Sequence, residues 1–238
     1  YNRVAISNVL SVSENGLYSI AGRFSSFITL FTTCFNMAWQ EMSYSREAQK
    51  QTNQGEFYTT ALNSYIKFLC MGLLMLIPAI SVIFPIMINE SYADAKQLVP
   101  YYLLATIVSC ISSFFGNIFT AIKKNNVLFY TTVAGSVVNV VSVHLLLPIV
   151  GVQGASIALF LGFMVNNTIR AYLLKKEIQV SIDLKFIVAW AIVYIGVSYI
   201  YLHANAIINV LTVFVGGLLT LFVFRKELKE ILGTIKNR

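Results

Sequence analysis

Charge is what this sequence has least of. Asp, Glu, Lys and Arg make up 11% of the 238 residues, against 57% hydrophobic residues and a mean hydropathy of +0.72. A soluble globular domain carries roughly 25% charged residues, so the composition excludes that class and reads as a polytopic membrane protein. Acidic groups are the scarcer sign, with 10 Asp and Glu against 17 Lys and Arg. The resulting net charge of +7 does not point to nucleic acid, because the basic residues fall in short loops between apolar runs. Histidine is rarer still: His144 and His203 both sit at span ends, with no Cys, Asp or Glu at ligand or triad spacing. The P-loop, G-x-G-x-x-G and H-E-x-x-H patterns are missing. The expectation is therefore a non-enzyme without a bound cofactor, with coupling to an H+ or Na+ gradient left open. Cys34, Cys70 and Cys110 each lie inside an apolar run, which argues against a disulfide framework. The chain lacks an initiator Met and a signal-peptide pattern and opens partway through an apolar helix, so it reads as a C-terminal fragment.

What is there is a series of long apolar runs. A spanning helix needs about 20 apolar residues. After a partial first helix, seven runs meet that need: Gly16–Gln40, Phe57–Met87, Gln97–Ile122, Val127–Val150, Gly154–Leu174, Leu184–Leu202 and Ile207–Phe224. The loops support this count. One alternate set holds Arg46, Lys50, Lys123, Lys124, Arg170, Lys175, Lys176, Lys185 and the tail residues Arg225, Lys226, Lys229, Lys236 and Arg238. The opposite set holds Glu14, Glu90, Asp94 and Lys96, then uncharged turns near Gly151 and Ala204. By the positive-inside rule the first set and the C-terminus are cytoplasmic. The polar segment from Glu41 to Glu56 reads either as an ordinary connection or as an interfacial helix. Pro78 and Pro85 are expected to kink the second full span. Gly154, Ala158 and Gly162 form a small-residue stripe that suits close helix packing.

Three cations remain inside the spans. Arg3 and Arg23 flank a polar turn expected at Ser11–Asn15, each roughly 10 Å from it, which places them at similar depth on adjacent antiparallel helices. Lys67 lies about ten residues into the second full span. Intramembrane ionisable groups are costly and usually face a cavity or a partner. Arg23 and Glu41 are 18 residues apart, about five turns, so they share a face with Phe27, Leu30, Cys34 and Met37. Arginine suits phosphate and carboxylate through its bidentate fork, which favours an anionic hydrophilic substrate. Asn36, Gln40, Asn63, Asn117 and Asn139 add amides that could meet sugar hydroxyls or join helices.

N-R-V-A-I-S-N-V-L at Asn2–Leu10 and E-N-G-L-Y-S-I-A-G-R-F at Glu14–Phe24 resemble the junction of the seventh and eighth helices in bacterial polysaccharide flippases. These belong to the multidrug/oligosaccharidyl-lipid/polysaccharide exporter superfamily. F-N-M-A-W-Q at Phe35–Gln40, A-I-K-K-N-N at Ala121–Asn126 and L-L-L-P-I-V-G-V-Q-G-A-S-I-A at Leu145–Ala158 extend the resemblance over essentially the whole chain. The family pattern at the first junction is approximately D-R-x-x-I-S; Arg3 matches its arginine, and Asn2 replaces its aspartate.

The resemblance implies an all-α transporter of two pseudo-symmetric bundles. Residues 1–175 would form the second bundle, and residues 176–238 two appended spans with a basic tail. It also implies a multi-pass protein of the bacterial cytoplasmic membrane. By alternating access it would carry undecaprenyl-pyrophosphate-linked oligosaccharide for O-antigen, capsule or related polysaccharide. Its partners would be that lipid-linked glycan, membrane lipids and polysaccharide polymerase machinery, and not nucleic acid. Arg3, Arg23 and Lys67 are the expected substrate contacts, with Asn36, Gln40 and Glu41 as further candidates. The rival readings are an ion-coupled multidrug exporter of the same superfamily and an integral-membrane glycan polymerase or ligase. The first would call for buried carboxylates and the second for a large outer loop; neither stands out here.

Overall fold

The computed structural model describes residues 1–48 and 54–225. Among them are eight α-helices and one 3-10 turn at Glu90–Tyr92, and no strand. The helices are α1 (Asn2–Val9), α2 (Val12–Ala48), α3 (Gln54–Met87), α4 (Ala95–Ala121), α5 (Asn125–Val150), α6 (Gln153–Ile178), α7 (Leu184–His203) and α8 (Ala206–Val223). Six of them, α3 to α8, are long and apolar enough to cross a membrane. The expected seventh, α2, has ample length at 37 residues but a more polar composition. With this all-helical architecture the chain is a polytopic membrane protein.

Two local features reset the expected boundaries. The turn expected at Ser11–Asn15 is helical from Val12, because Ser11 Oγ accepts the Glu14 N–H at 3.1 Å. Ser11 and Glu14 make the S-x-x-E spacing that marks a helix start. At its far end α2 continues through Glu41 to Ala48, so the polar segment begins as helix rather than as a loop. Residues 49–53 of that segment, with Lys50, lie outside the described residues, as do Lys226, Lys229, Lys236 and Arg238 of the tail. Pro78 and Pro85 lie within one continuous helix.

Packing follows the small residues and the aromatics. Gly154, Ala158 and Gly162 are buried, and α5 and α6 make the most extensive helix pair. A Cβ on Gly162 would stand 2.7 Å from the Gly135 carbonyl oxygen, and one on Gly135 equally close to that of Gly162. At Gly151 the chain turns from α5 into α6 with φ +68°, a backbone region that favours glycine. Toward the other end of the bundle Phe35 and Trp39 of α2, Phe57 and Tyr65 of α3 and Phe114 of α4 form an aromatic cluster, with ring centroids 4.6 to 6.4 Å apart.

The appended helices α7 and α8 rest mainly on α3. The connection into α7 is stitched to the start of α3: Asn63 donates to Ser181 O and accepts from the Asp183 N–H, and Thr59 Oγ1 accepts from the Ser181 N–H. Trp190 donates to Cys70 O at 2.8 Å, and Tyr194 to Pro100 O at 2.7 Å. Helix α6 runs through residue 175 to Ile178, so the break before this pair falls at Gln179–Asp183. Near that end Lys124 and Glu177 form an ion pair joining the start of α5 to the end of α6.

Candidate functional site

Arg23 stands at one end of an uncovered stripe on α2. Phe27, Leu30 and Met37 are 50%, 65% and 66% exposed, and Arg23, Cys34 and Glu41 are exposed as well. These six positions repeat at three- and four-residue steps, which keeps them on one side of the helix over roughly 27 Å. The opposite side of α2 is buried through Tyr18, Ala21, Phe24 and Ile28, where Tyr18 meets Tyr102 of α4 edge-on and Phe24 stacks on Phe84 of α3.

Arg3 is also exposed, on α1 beside this helix. Asn15 donates to Ser7 Oγ at 2.9 Å and fixes the level of the two helices. Arg3 is four residues from Ser7 and Arg23 eight from Asn15, so their Cα positions differ in depth by roughly 6 Å. The early start of α2 is the cause: it lengthens the arm leading to Arg23. Among the described residues neither guanidinium has an ion-pair or hydrogen-bond partner.

The other predicted site residues go elsewhere, apart from Glu41. Lys67 follows Tyr65 by two residues, or about 200° around α3. Tyr65 stacks on Phe35 of α2 at 4.9 Å, whereas the Lys67 ammonium lies 5.9 Å from the Phe186 ring of α7. Lys67 therefore points to the α7 side of α3, away from the Arg23 stripe. Asn36 and Gln40 lie about 100° or more around the helix from the centre line of that stripe and are bonded to Asn117 of α4. Gln40 Nε2 donates to Asn117 Oδ1 at 2.7 Å, and Asn117 Nδ2 donates to Asn36 Oδ1 at 3.2 Å. Their amides join α2 to α4.

Asn2, which replaces the aspartate of the resembling family, is buried in a closed amide pair. It donates to Asn139 Oδ1 at 3.3 Å and to Ala155 O at 3.0 Å, and Asn139 donates back at 3.0 Å. This joins α1, α5 and α6 through a group that does not titrate.

Arg170, expected among the cytoplasmic loop cations, lies two turns inside α6 and is 5% exposed. Helix α6 runs on to Ile178, and the guanidinium folds back into the bundle. Nε donates to Thr131 Oγ1 at 2.9 Å, one terminal nitrogen to Ser112 O and Oγ at 2.7 and 3.0 Å, and the other to Thr132 Oγ1 at 3.0 Å. A buried cation held only by neutral oxygens clamps α4, α5 and α6 together. The hydroxyl-rich steps at Ser112–Ser113 and Thr131–Thr132, each inside an apolar run, were its signal in the sequence.

No group of three or more His, Cys, Asp or Glu that could hold a metal ion occurs among the described residues. The chemical resource of this surface is an exposed cationic and apolar strip.

No protein-family model matches the chain, and no curated protein sequence does. Among solved structures it is similar to a lipid II flippase, MurJ, in an inward closed conformation, with 18% identity and a TM-score of 0.68. The similarity covers 95% of this chain and 51% of that one, so the chain spans about half the length of that structure. The fold of this chain is therefore that of one half of a MurJ-like helical membrane protein.

Proposed function

We propose that the chain is the second half of a bacterial flippase that carries a lipid-linked oligosaccharide across the cytoplasmic membrane by alternating access. The observation that carries this reading is the exposed strip on α2 that presents Arg23, with Arg3 beside it on α1. An exposed intramembrane cation without a carboxylate partner is costly in lipid and is stabilised by an anion or an aqueous cavity. A pyrophosphate-linked glycan supplies the anion, and two arginines can clasp it through charge-assisted forks. The fold likeness to a lipid II flippase supports a lipid-linked cargo at that coarse level. The resemblance noted in the sequence favours an undecaprenyl-pyrophosphate-linked unit for O-antigen, capsule or a related polysaccharide.

In this reading Arg3 and Arg23 bind at successive depths, which suits the two phosphates of a pyrophosphate passing along one wall. Glu41, on the same stripe, marks its other end, which the loop charges assign to the cytoplasm together with the C-terminus. Asn36, Gln40 and Lys67 act indirectly: the amides hold α2 on α4, and Lys67 lies on the side of α3 facing the appended pair. Coupling to an H+ or Na+ gradient belongs to the proposal, and Asn2 cannot carry its proton.

The test is complementation of a flippase-null bacterium by the full-length protein at matched expression. Surface glycan is restored by the wild type and lost with Arg23→Ala and Arg3→Ala, whereas Lys67→Ala retains most of it. Full restoration by both arginine variants would remove the cationic strip from the transport path. Drug resistance without surface glycan would instead support the exporter reading.

A further inference from the structure

A second polar surface lies at the end of the bundle where α4 and α6 begin and α7 ends. Gln97, Tyr101, Gln153, Leu202 and His203 surround a pocket of about 320 Å³. That is at the lower end of the roughly 300–1,000 Å³ typical of small-molecule sites. Gln97 and Tyr101 are four residues apart and share one face of α4. Gln153 opens α6, and His203 closes α7.

The side-chain amides of Gln97 and Gln153 make no hydrogen bond to another described residue. His203 Nδ1 lies 3.1 Å from the Tyr199 carbonyl oxygen. A carbonyl only accepts, so Nδ1 carries the proton and Nε2 of the neutral ring presents a lone pair. Its ring is held by stacking on Tyr199 at 4.4 Å. Lys96, next to Gln97, lies over the Tyr201 ring at 5.3 Å and is not part of the wall. The pocket thus gathers two amides, a phenol and an imidazole acceptor around an aromatic and aliphatic floor, with no carboxylate, ammonium or guanidinium in its lining.

We propose that this pocket binds one or two sugar rings of a neutral, hydroxyl-rich glycan. Amides donate and accept at once and so match hydroxyl pairs, while the faces of Tyr101 and Leu202 suit the C–H side of a pyranose. The absence of lining charge disfavours phosphate. The loop-charge pattern places this end outside the membrane, where a translocated glycan would emerge; only that source for the sugar rests on the flippase reading.

The test is saturation-transfer NMR on the full-length protein in lipid nanodiscs, with free maltotriose, triacetylchitotriose and mannotriose as probes. At least one trisaccharide is expected to receive saturation from the wild type. The double variant Gln97→Ala/Gln153→Ala should bind it at least about five-fold more weakly, as expected for losing two neutral hydrogen-bonding groups. Tyr101→Leu should weaken it further while the unfolding midpoint is unchanged. No transfer to any of the three sugars, or equal binding by the double variant, overturns the proposal. Complete displacement of the sugar by inorganic pyrophosphate also overturns it, in favour of a phosphate site. Because the probes carry neither lipid nor phosphate, the result is independent of whether Arg23 serves transport.

Discussion

At the residue scale, the same side chain has different consequences depending on what surrounds it. Arg170 is enclosed by Ser112, Thr131 and Thr132 and satisfies them through a planar fork that reaches two other helices. Replacing it with Met removes four hydrogen bonds that a charged donor makes in a buried place. We expect a loss of about 2 kcal/mol, seen as a fall in unfolding midpoint of roughly 4–8 °C. Arg170→Lys should not restore it, since one ammonium cannot span three hydroxyl-bearing residues as the fork does; equal midpoints for Lys and Arg would contradict the clamp. Arg3 and Arg23 are exposed, so their alanine variants should leave the midpoint nearly unchanged. The sequence did not separate these cases. Arg3, Arg23 and Lys67 stood out in the sequence because apolar residues surround them, and of the three only Lys67 lies on a helix long and apolar enough to span. Arg170 was placed with Lys175 and Lys176 because charge counting is blind to a side chain that folds back into the bundle.

At the element scale, periodicity carried most of the information. The ends of α3 to α8 fall within a few residues of the apolar runs, because the length of a span is set by the membrane. The stripe Arg23–Glu41 followed from helical spacing alone, whereas the level of Arg23 relative to Arg3 did not. That depends on whether five residues form a turn or begin a helix, which Ser11 and Glu14 decide by capping. F-N-M-A-W-Q shows how one short segment serves three surfaces: Phe35 and Trp39 enter the aromatic cluster, Asn36 and Gln40 reach Asn117, and Met37 stays exposed. Trp39→Ala should cost about 3–5 kcal/mol by emptying that cluster, measured as reduced thermal stability in detergent. Gly162→Val should cost about 1–3 kcal/mol by overpacking, because the nearest atom to its new Cβ is the Gly135 backbone carbonyl, which has little freedom to move aside. Unchanged stability for Gly162→Val would mean that α5 and α6 can separate without loss.

At the scale of the whole molecule, the stitched connection at Thr59, Asn63, Ser181 and Asp183 ties α7 and α8 to α3, on the side reached by Lys67. The Arg23 stripe lies on another helix, with its exposed side clear of α3 and α4. Sequence alone could not place Lys67, because which side of a helix meets which neighbour is a property of the packed bundle. The account turns on the α2 stripe facing an aqueous substrate path, and the molecule carries its own probe there: Cys34 is exposed on the stripe, while Cys70 and Cys110 are buried. The most direct measurement is labelling of Cys34 in membranes by a charged, membrane-impermeant maleimide, using full-length protein with every other cysteine changed to serine. The account predicts labelling that a pyrophosphate-linked oligosaccharide lipid suppresses in the wild type and fails to suppress in Arg23→Ala. Labelling by lipid-soluble maleimides alone, indifferent to the pyrophosphate lipid, would contradict it and turn the stripe toward the bilayer.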